Sequence, residues 1–113
     1  MAHQPIPITP RCPIRTTLEL IGGKWKLLII RHLADGTLRF SELRRLLPDI
    51  SERILVYELK QLVDSELVSR VNHGEVPPRV DYALTEKGKR AIPLIEEMAR
   101  FGLAYLERPE GRS

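Results

Sequence analysis

Arg53, Tyr57 and Lys60 follow one another at spacings of four and three residues inside the stretch ISERILVYELKQLVDSEL, Ile50 to Leu67. At 3.6 residues per turn they share one face with Gln61 and Asp64, while Leu55, Leu59, Leu62 and Glu66 fall near one line on the other. One side is aliphatic and buries. The other offers a guanidinium, a phenol, an ammonium and an amide, a donor-rich set of the kind that meets base edges and phosphates. Ser51 is suited to cap the start of this helix, and Pro48 breaks the pattern before it. Taken alone, the same stretch also reads as an ordinary amphipathic helix with a solvated face. Its surroundings have to decide.

Cys12 is the second residue with chemistry to offer. It stands just before a first helix, between Arg11 and Arg15. A helix start and nearby cations both favour a thiolate, which is the nucleophilic form. The alternative is a small hydrophobe packed at an interface. Enzymatic use of Cys12 would need a general base in reach and a pocket. No histidine is close in sequence, so no enzyme is expected. A single cysteine cannot form an intrachain disulfide, and three scattered histidines with one cysteine lack zinc-ligand spacing. Neither a metal nor another cofactor is expected.

The 113 residues suit one domain with a modest core. With 42% hydrophobic and 29% charged residues the composition is that of a soluble globular protein. No apolar run approaches the roughly 20 residues that cross a bilayer, and MAHQPIPITP has no basic region followed by an apolar block. The expectation is a cytoplasmic protein with no membrane partner. Net charge is +3, and the excess is unevenly placed. Arg11 to Lys60 holds ten basic and six acidic residues, Gln61 to Ser113 eight and nine. The surplus lies in the half that carries Arg53 and Lys60, which favours a polyanion partner.

The elements that must position these residues can be taken in order. Residues 1–10, with three prolines, read as a flexible arm, 11–106 as one domain and 107–113 as a flexible tail. Cys12-Pro13 opens a first helix striped by Ile14, Leu18 and Ile21 and ended by Gly22-Gly23. A second helix from about Lys24 to Leu33 is expected to bury Trp25, Leu28, Ile29, His32 and Leu33. Thr37-Leu38-Arg39 can add to a sheet. Ser41 is expected to cap a third helix, SELRRLL, ahead of the helix that carries Arg53. Then the period changes to two strands, Leu67 to Asn72 and Arg79 to Leu84, joined by HGEVPP. Thr85 caps a last segment to about Leu106 whose apolar side is Ile92, Ile95, Met98, Ala99 and Leu106. Pro93 should kink or interrupt it. The fold class is mostly α with a small antiparallel β-hairpin (α+β). Two helices joined by a tight turn and followed by a hairpin make a winged helix-turn-helix, whose second helix enters the major groove.

The residues also carry a resemblance. Cys12-Pro13, Ile21-Gly22-Gly23-Lys24-Trp25, Arg39-Phe40-Ser41-Glu42-Leu43 and Ile50-Ser51 with Leu55, Leu59 and Leu62 make up its first part. Glu75-Val76-Pro77-Pro78-Arg79-Val80-Asp81-Tyr82 and Leu84-Thr85-Glu86-Lys87-Gly88 complete it. In this order the chain resembles the HxlR-type transcriptional regulators, related to the MarR group, over about Arg11 to Leu106. The resemblance implies a homodimeric bacterial DNA-binding repressor or activator, paired through its first and last helices. In some relatives a cysteine at the position of Cys12 senses electrophiles or oxidants, which makes an oxidant or small-molecule effector an expectation here. Two departures stand out. Many relatives have threonine and glutamines where this chain has Val56-Tyr57-Glu58, so no operator sequence carries over. A glycine usual before the strand is Glu66 here.

The expected partner is therefore an operator in double-stranded DNA, together with a second copy of the chain. Ser51, Arg53, Ile54, Tyr57 and Lys60 would approach the major groove, with Arg53 best placed for a base edge and Lys60 for a phosphate. Arg39, Ser41 and Arg44 would bind phosphate near the start of the third helix. The pair Arg44-Arg45 reads equally as a solvated face. His73 and Arg79 would touch the backbone or minor groove from the hairpin. Glu52 and Glu58 oppose DNA unless they point away or accept from cytosine. The competing class is a winged-helix protein–protein interaction module without DNA binding. It would carry an apolar patch in place of Arg53, Tyr57 and Lys60.

Overall fold

Ser51 Oγ accepts the backbone hydrogen of Ile54 at 3.1 Å, and this cap starts the helix on which the rest of the molecule is arranged. In the computed structural model, which describes residue 6 and residues 8–107, that helix is α4 (Glu52–Asp64). Before it come α1 (Pro13–Ile21), α2 (Lys26–Leu33), β1 (Leu38–Arg39) and α3 (Phe40–Leu46). After it come β2 (Val68–Asn72), β3 (Val80–Leu84), α5 (Glu86–Lys89) and α6 (Ile92–Leu106). The expected arm 1–10 and tail 107–113 lie mostly outside the described residues.

The core forms where α2, α3 and α4 turn their apolar sides to one another and to the sheet. Leu55, Leu59 and Leu62 of α4 are fully buried against Ile29, Ile30 and Leu33 of α2 and Leu43 of α3, with Leu47 and Ile50 from the connection. Val68 and Tyr82 close the core on the sheet side. The strands lie in the order β1-β3-β2, all antiparallel. Leu38 pairs with Tyr82, and Val68 to Asn72 run opposite Leu84 to Val80. The short Thr37-Leu38-Arg39 segment does add a strand, on the far side of β3 from β2.

Several expectations need correcting. α2 begins at Lys26, with Trp25 at the cap position. Its buried set is Lys26, Ile29, Ile30 and Leu33, whereas Leu28 is 44% exposed and His32 half-buried. The positions Lys26, Ile29, Ile30 and Leu33 follow the helical period. Ile29 and Leu33 lie where expected; Lys26 and Ile30 do not announce themselves, because a lysine occupies the first position of that period. Nor does Ser41 cap α3. Arg39 holds the cap position, its N–H donating to Glu42 Oε1 at 2.7 Å, and Ser41 lies inside the first turn.

The last segment is interrupted as Pro93 predicts. Thr85 Oγ1 accepts from Gly88 N at 3.0 Å to start α5, the chain turns at Arg90 and Ala91, and Pro93 takes the second position of α6. There its missing N–H costs no hydrogen bond. Gly88 has to be glycine, because a Cβ there would lie 2.0 Å from the Leu67 carbonyl oxygen. Glu66 sits at φ 64°, in the left-handed region. That backbone is why a glycine is usual at this place. Here Thr85 Oγ1 donates to the Glu66 carbonyl at 2.6 Å and Lys87 Nζ to its carboxylate at 2.9 Å, which hold the turn.

Candidate nucleic-acid interface

Because Leu55, Leu59 and Leu62 face the core, the α4 period turns Arg53, Ile54, Tyr57 and Lys60 outward, and all four are exposed. Arg53 pairs with no carboxylate among the described residues. Lys60 Nζ lies 3.1 Å from Asp64 Oδ2, an exposed pair one turn apart that water and salt weaken readily. Ser51 is exposed too, although its hydroxyl oxygen is already engaged in capping.

The two glutamates on this helix separate. Glu58 is drawn inward: Lys26 Nζ donates to Glu58 Oε1 and to Gln61 Oε1, each at 2.6 Å. The same Gln61 donates from Nε2 to the Tyr57 hydroxyl at 2.8 Å. A carboxylate that would have repelled phosphate is thus neutralised behind the outward face. Glu52 remains exposed and meets Arg44 Nη1 at 3.4 Å.

That contact sets Arg44 apart from the other two α3 residues expected at phosphate. Arg44 lies in the last turn of α3 and faces the start of α4. Arg45, read from the sequence as possible solvated surface, joins Arg39 and Ser41 instead. With Thr37, Glu42, Arg79 and Asp81 they line an open polar cavity of about 540 Å³ between α3, β1 and the hairpin. Three guanidiniums converge there, against one carboxylate engaged by a backbone N–H and another engaged by the hairpin itself.

Within the hairpin, His73 N–H donates to the Arg79 carbonyl at 2.9 Å. Asp81 lies between the two expected DNA contacts. Its Oδ2 is 2.9 Å from His73 Nε2 and 3.3 Å from Arg79 Nη2. Hydrogen bonds from His73 and then Arg79 hold the Asp81 carboxyl below the usual aspartate range, and the same contact pushes the Arg79 guanidinium up. A further cation escaped the sequence reading. Arg70 of β2 is exposed and shares a groove with Lys60, Val56, Leu59, Val63 and Tyr82. The signal was its place two residues inside a strand that flanks α4.

Cys12 lies apart from this surface. It is 3% exposed, occupies the cap position of α1, and its Sγ accepts the backbone hydrogen of Arg15 at 3.4 Å. Among the described residues no group of three or more His, Cys, Asp or Glu could hold a metal ion, and no helix is long and apolar enough to cross a membrane.

Known proteins are similar to this chain in sequence and fold. The model of the HxlR-like helix-turn-helix family matches residues 20–110. An uncharacterized HTH-type transcriptional regulator of Methanothermobacter thermautotrophicus is 46% identical over 94 residues, covering 83% of this chain and 72% of the relative. Among solved structures, the redox regulator HypR in its oxidized form is similar with a TM-score of 0.79 and 39% identity, over 88% of this chain and 100% of that one. The reduced form of the transcriptional regulator YodB from Bacillus subtilis is similar with a TM-score of 0.75 and 36% identity, over 88% and 98%. A match over so much of the chain decides the matter: this chain belongs to the HxlR-like helix-turn-helix family and is a DNA-binding transcriptional regulator.

Proposed function

We propose that the chain acts in the cytoplasm as a two-fold homodimer that sets its two α4 helices into successive major grooves of an operator, about 34–36 Å apart. The observation that carries this reading is the α4 surface. Arg53, Ile54, Tyr57 and Lys60 stand exposed on it, and Glu58 is withdrawn to Lys26. Arg53 reads a base edge, Lys60 meets phosphate, and Tyr57 bonds the groove. Arg39, Ser41 and Arg45 cradle backbone phosphate beside the hairpin, Arg44 adds charge at the start of α4, and His73 and Arg79 approach from the wing.

Pairing is supported by apolar surface that one copy leaves open. No residue of α6 is buried, Phe101 and Leu106 are each 79% exposed, and Ile14 and Leu18 of α1 face away from the core. A two-fold contact between these helices removes that surface from water and makes one patch serve both subunits.

Cys12 supports a redox or electrophile response. Its thiol accepts a hydrogen bond at a helix start, and one similar solved structure is a redox regulator in its oxidized form. Modification there disturbs the start of α1, and through α1 the pairing of subunits.

The test is binding to a duplex from the DNA upstream of its own gene, as a salt series in reductant, against a scrambled duplex of equal length. Preference for the upstream duplex, with affinity falling steeply with salt, is expected. Equal, weak binding to both at all salt concentrations would remove that operator from the reading.

A further inference from the structure

Three groups form a directed line from the interior of the protein to the outward face of α4. Lys26 Nζ donates to Gln61 Oε1 at 2.6 Å, and Gln61 Nε2 donates to Tyr57 Oη at 2.8 Å. An ammonium has three donors and no lone pair, so only the amide oxygen of Gln61 can face Lys26. That choice turns the amide nitrogen toward Tyr57. The phenol oxygen is then an acceptor on its inner side, and its own hydrogen is left with no acceptor among the described residues.

We propose that Lys26 is a positioning residue that, through Gln61, commits Tyr57 to act as a hydrogen-bond donor to DNA. The inference rests on the reading of α4 as the DNA-facing helix. Without Lys26 the Gln61 amide is free to rotate, its oxygen can accept the phenol hydrogen, and the outward donor is lost. With Lys26 in place, the Tyr57 position selects an acceptor: a phosphate oxygen, or a base-edge acceptor such as purine N7, guanine O6 or thymine O4. Lys26 is buried on α2 and touches no DNA, yet it sets the sign of a contact made on α4.

The decisive substitution is Gln61→Glu. An ionised carboxylate keeps the contact with Lys26 but has only acceptors, so its second oxygen takes the phenol hydrogen and reverses the bond to Tyr57. It also adds a negative charge, which weakens all DNA binding. A double-mutant cycle with Tyr57→Phe separates the two effects. The probes are a duplex enriched from a random library by the wild-type protein and a scrambled duplex. Tyr57→Phe is expected to weaken the enriched duplex roughly tenfold, the usual size of one lost polar contact. Gln61→Glu should cost roughly tenfold more in the wild-type background than in the Tyr57→Phe background, where only the charge effect remains. Lys26→Met, assayed below its unfolding midpoint, should show the same non-additivity with Tyr57→Phe. A fall confined to the enriched duplex assigns the acceptor to a base edge; an equal fall on both duplexes assigns it to phosphate. Equal cost of Gln61→Glu in the two backgrounds overturns the inference and leaves α4 as the DNA-facing helix. If both Tyr57→Phe and Arg53→Ala leave binding to the enriched duplex unchanged, the reading of α4 fails, and the inference with it.

Discussion

The Lys26 ammonium and the Glu58 carboxylate meet at 2.6 Å between α2 and α4, with their side chains only 11% and 16% exposed. Burying two charges is costly, and their attraction repays it only while both are present. Lys26→Met is therefore expected to destabilise the fold by about 3 kcal/mol, because Glu58 is left nearly buried without its cation. Replacing both, as Lys26→Met with Glu58→Leu, should recover most of that loss. Denaturant unfolding of the three variants checks this. A loss in the double variant as large as in Lys26→Met would mean that the pair itself, rather than the stranded charge, supplies the stability.

Arg53 and Lys60 share one face but should fail differently. Arg53 has no carboxylate partner among the described residues and stands near the helix start, whereas Lys60 is already tied to Asp64. Arg53→Ala is expected to cost about 1–3 kcal/mol on the operator and to relax preference at one base pair. Lys60→Ala should weaken all sequences alike and flatten the dependence of log affinity on log salt by about one unit. Binding titrations over a salt series on operator and scrambled duplexes distinguish these patterns. A uniform loss for Arg53→Ala would move that residue from base reading to backbone contact.

Much of this surface could be read from the sequence because its signals are local. Ser51, Leu55, Leu59 and Leu62 lie within one helix and announce its start and its inner face. The change to strand periodicity after Leu67 announces the hairpin. What stayed hidden depends on partners far along the chain. Nothing local marks Lys26 as buried until Glu58, 32 positions later, folds against it, and a period counted from Trp25 puts Leu28 in the core where Ile30 lies. Arg44 and Arg45 are adjacent, and nothing nearby in sequence says which one turns toward Arg79 and which toward Glu52. The glutamates were ambiguous for the same reason: Glu52 and Glu58 differ only in what packs behind them.

Asp81 gives the hairpin a dependence on pH. Its folded-state carboxyl is held below the ordinary value of 3.8, first by the hydrogen bond from His73 and then by that from Arg79. A carboxyl with a depressed folded value contributes stability that is complete above its unfolded value and is lost as the pH falls through the folded one. The stability difference between wild type and Asp81→Asn should therefore shrink as the pH drops below about 4. Denaturant unfolding of both proteins across the acid range measures this difference, in which the other carboxylates cancel. A difference that does not change through that range would mean Asp81 gains nothing from its two partners.

Cys12 couples a cap to a thiol, and the two roles can be separated. Serine is among the best capping residues, so Cys12→Ser should keep the cap and lower the unfolding free energy by no more than about 1–2 kcal/mol, the cost of burying a hydroxyl in place of a thiol. Since the thiol is 3% exposed, a thiol reagent should label the native protein far more slowly than the denatured one. Oxidant treatment is expected to change operator affinity in wild type and to leave Cys12→Ser unaffected. An identical response in both proteins would reduce Cys12 to its capping role.

Phe101 tests the pairing of subunits with little risk to the fold, because it lies on α6 with its ring 79% exposed and outside the core. A large exposed aromatic on a helix without a single buried residue is expected to be covered by a second copy. Phe101→Glu puts an unpaired charge into the apolar contact once from each subunit, because a two-fold contact uses the same patch twice. Sedimentation should then show a folded monomer, against the dimer expected of wild type, with the unfolding transition of the single chain retained. Operator binding should fall by several orders of magnitude, because each half-site is then held by one α4 and one hairpin instead of two joined sets. If Phe101→Glu remains dimeric, the pairing surface lies elsewhere, and the exposed stripe of Ile14 and Leu18 on α1 becomes the next place to introduce the charge.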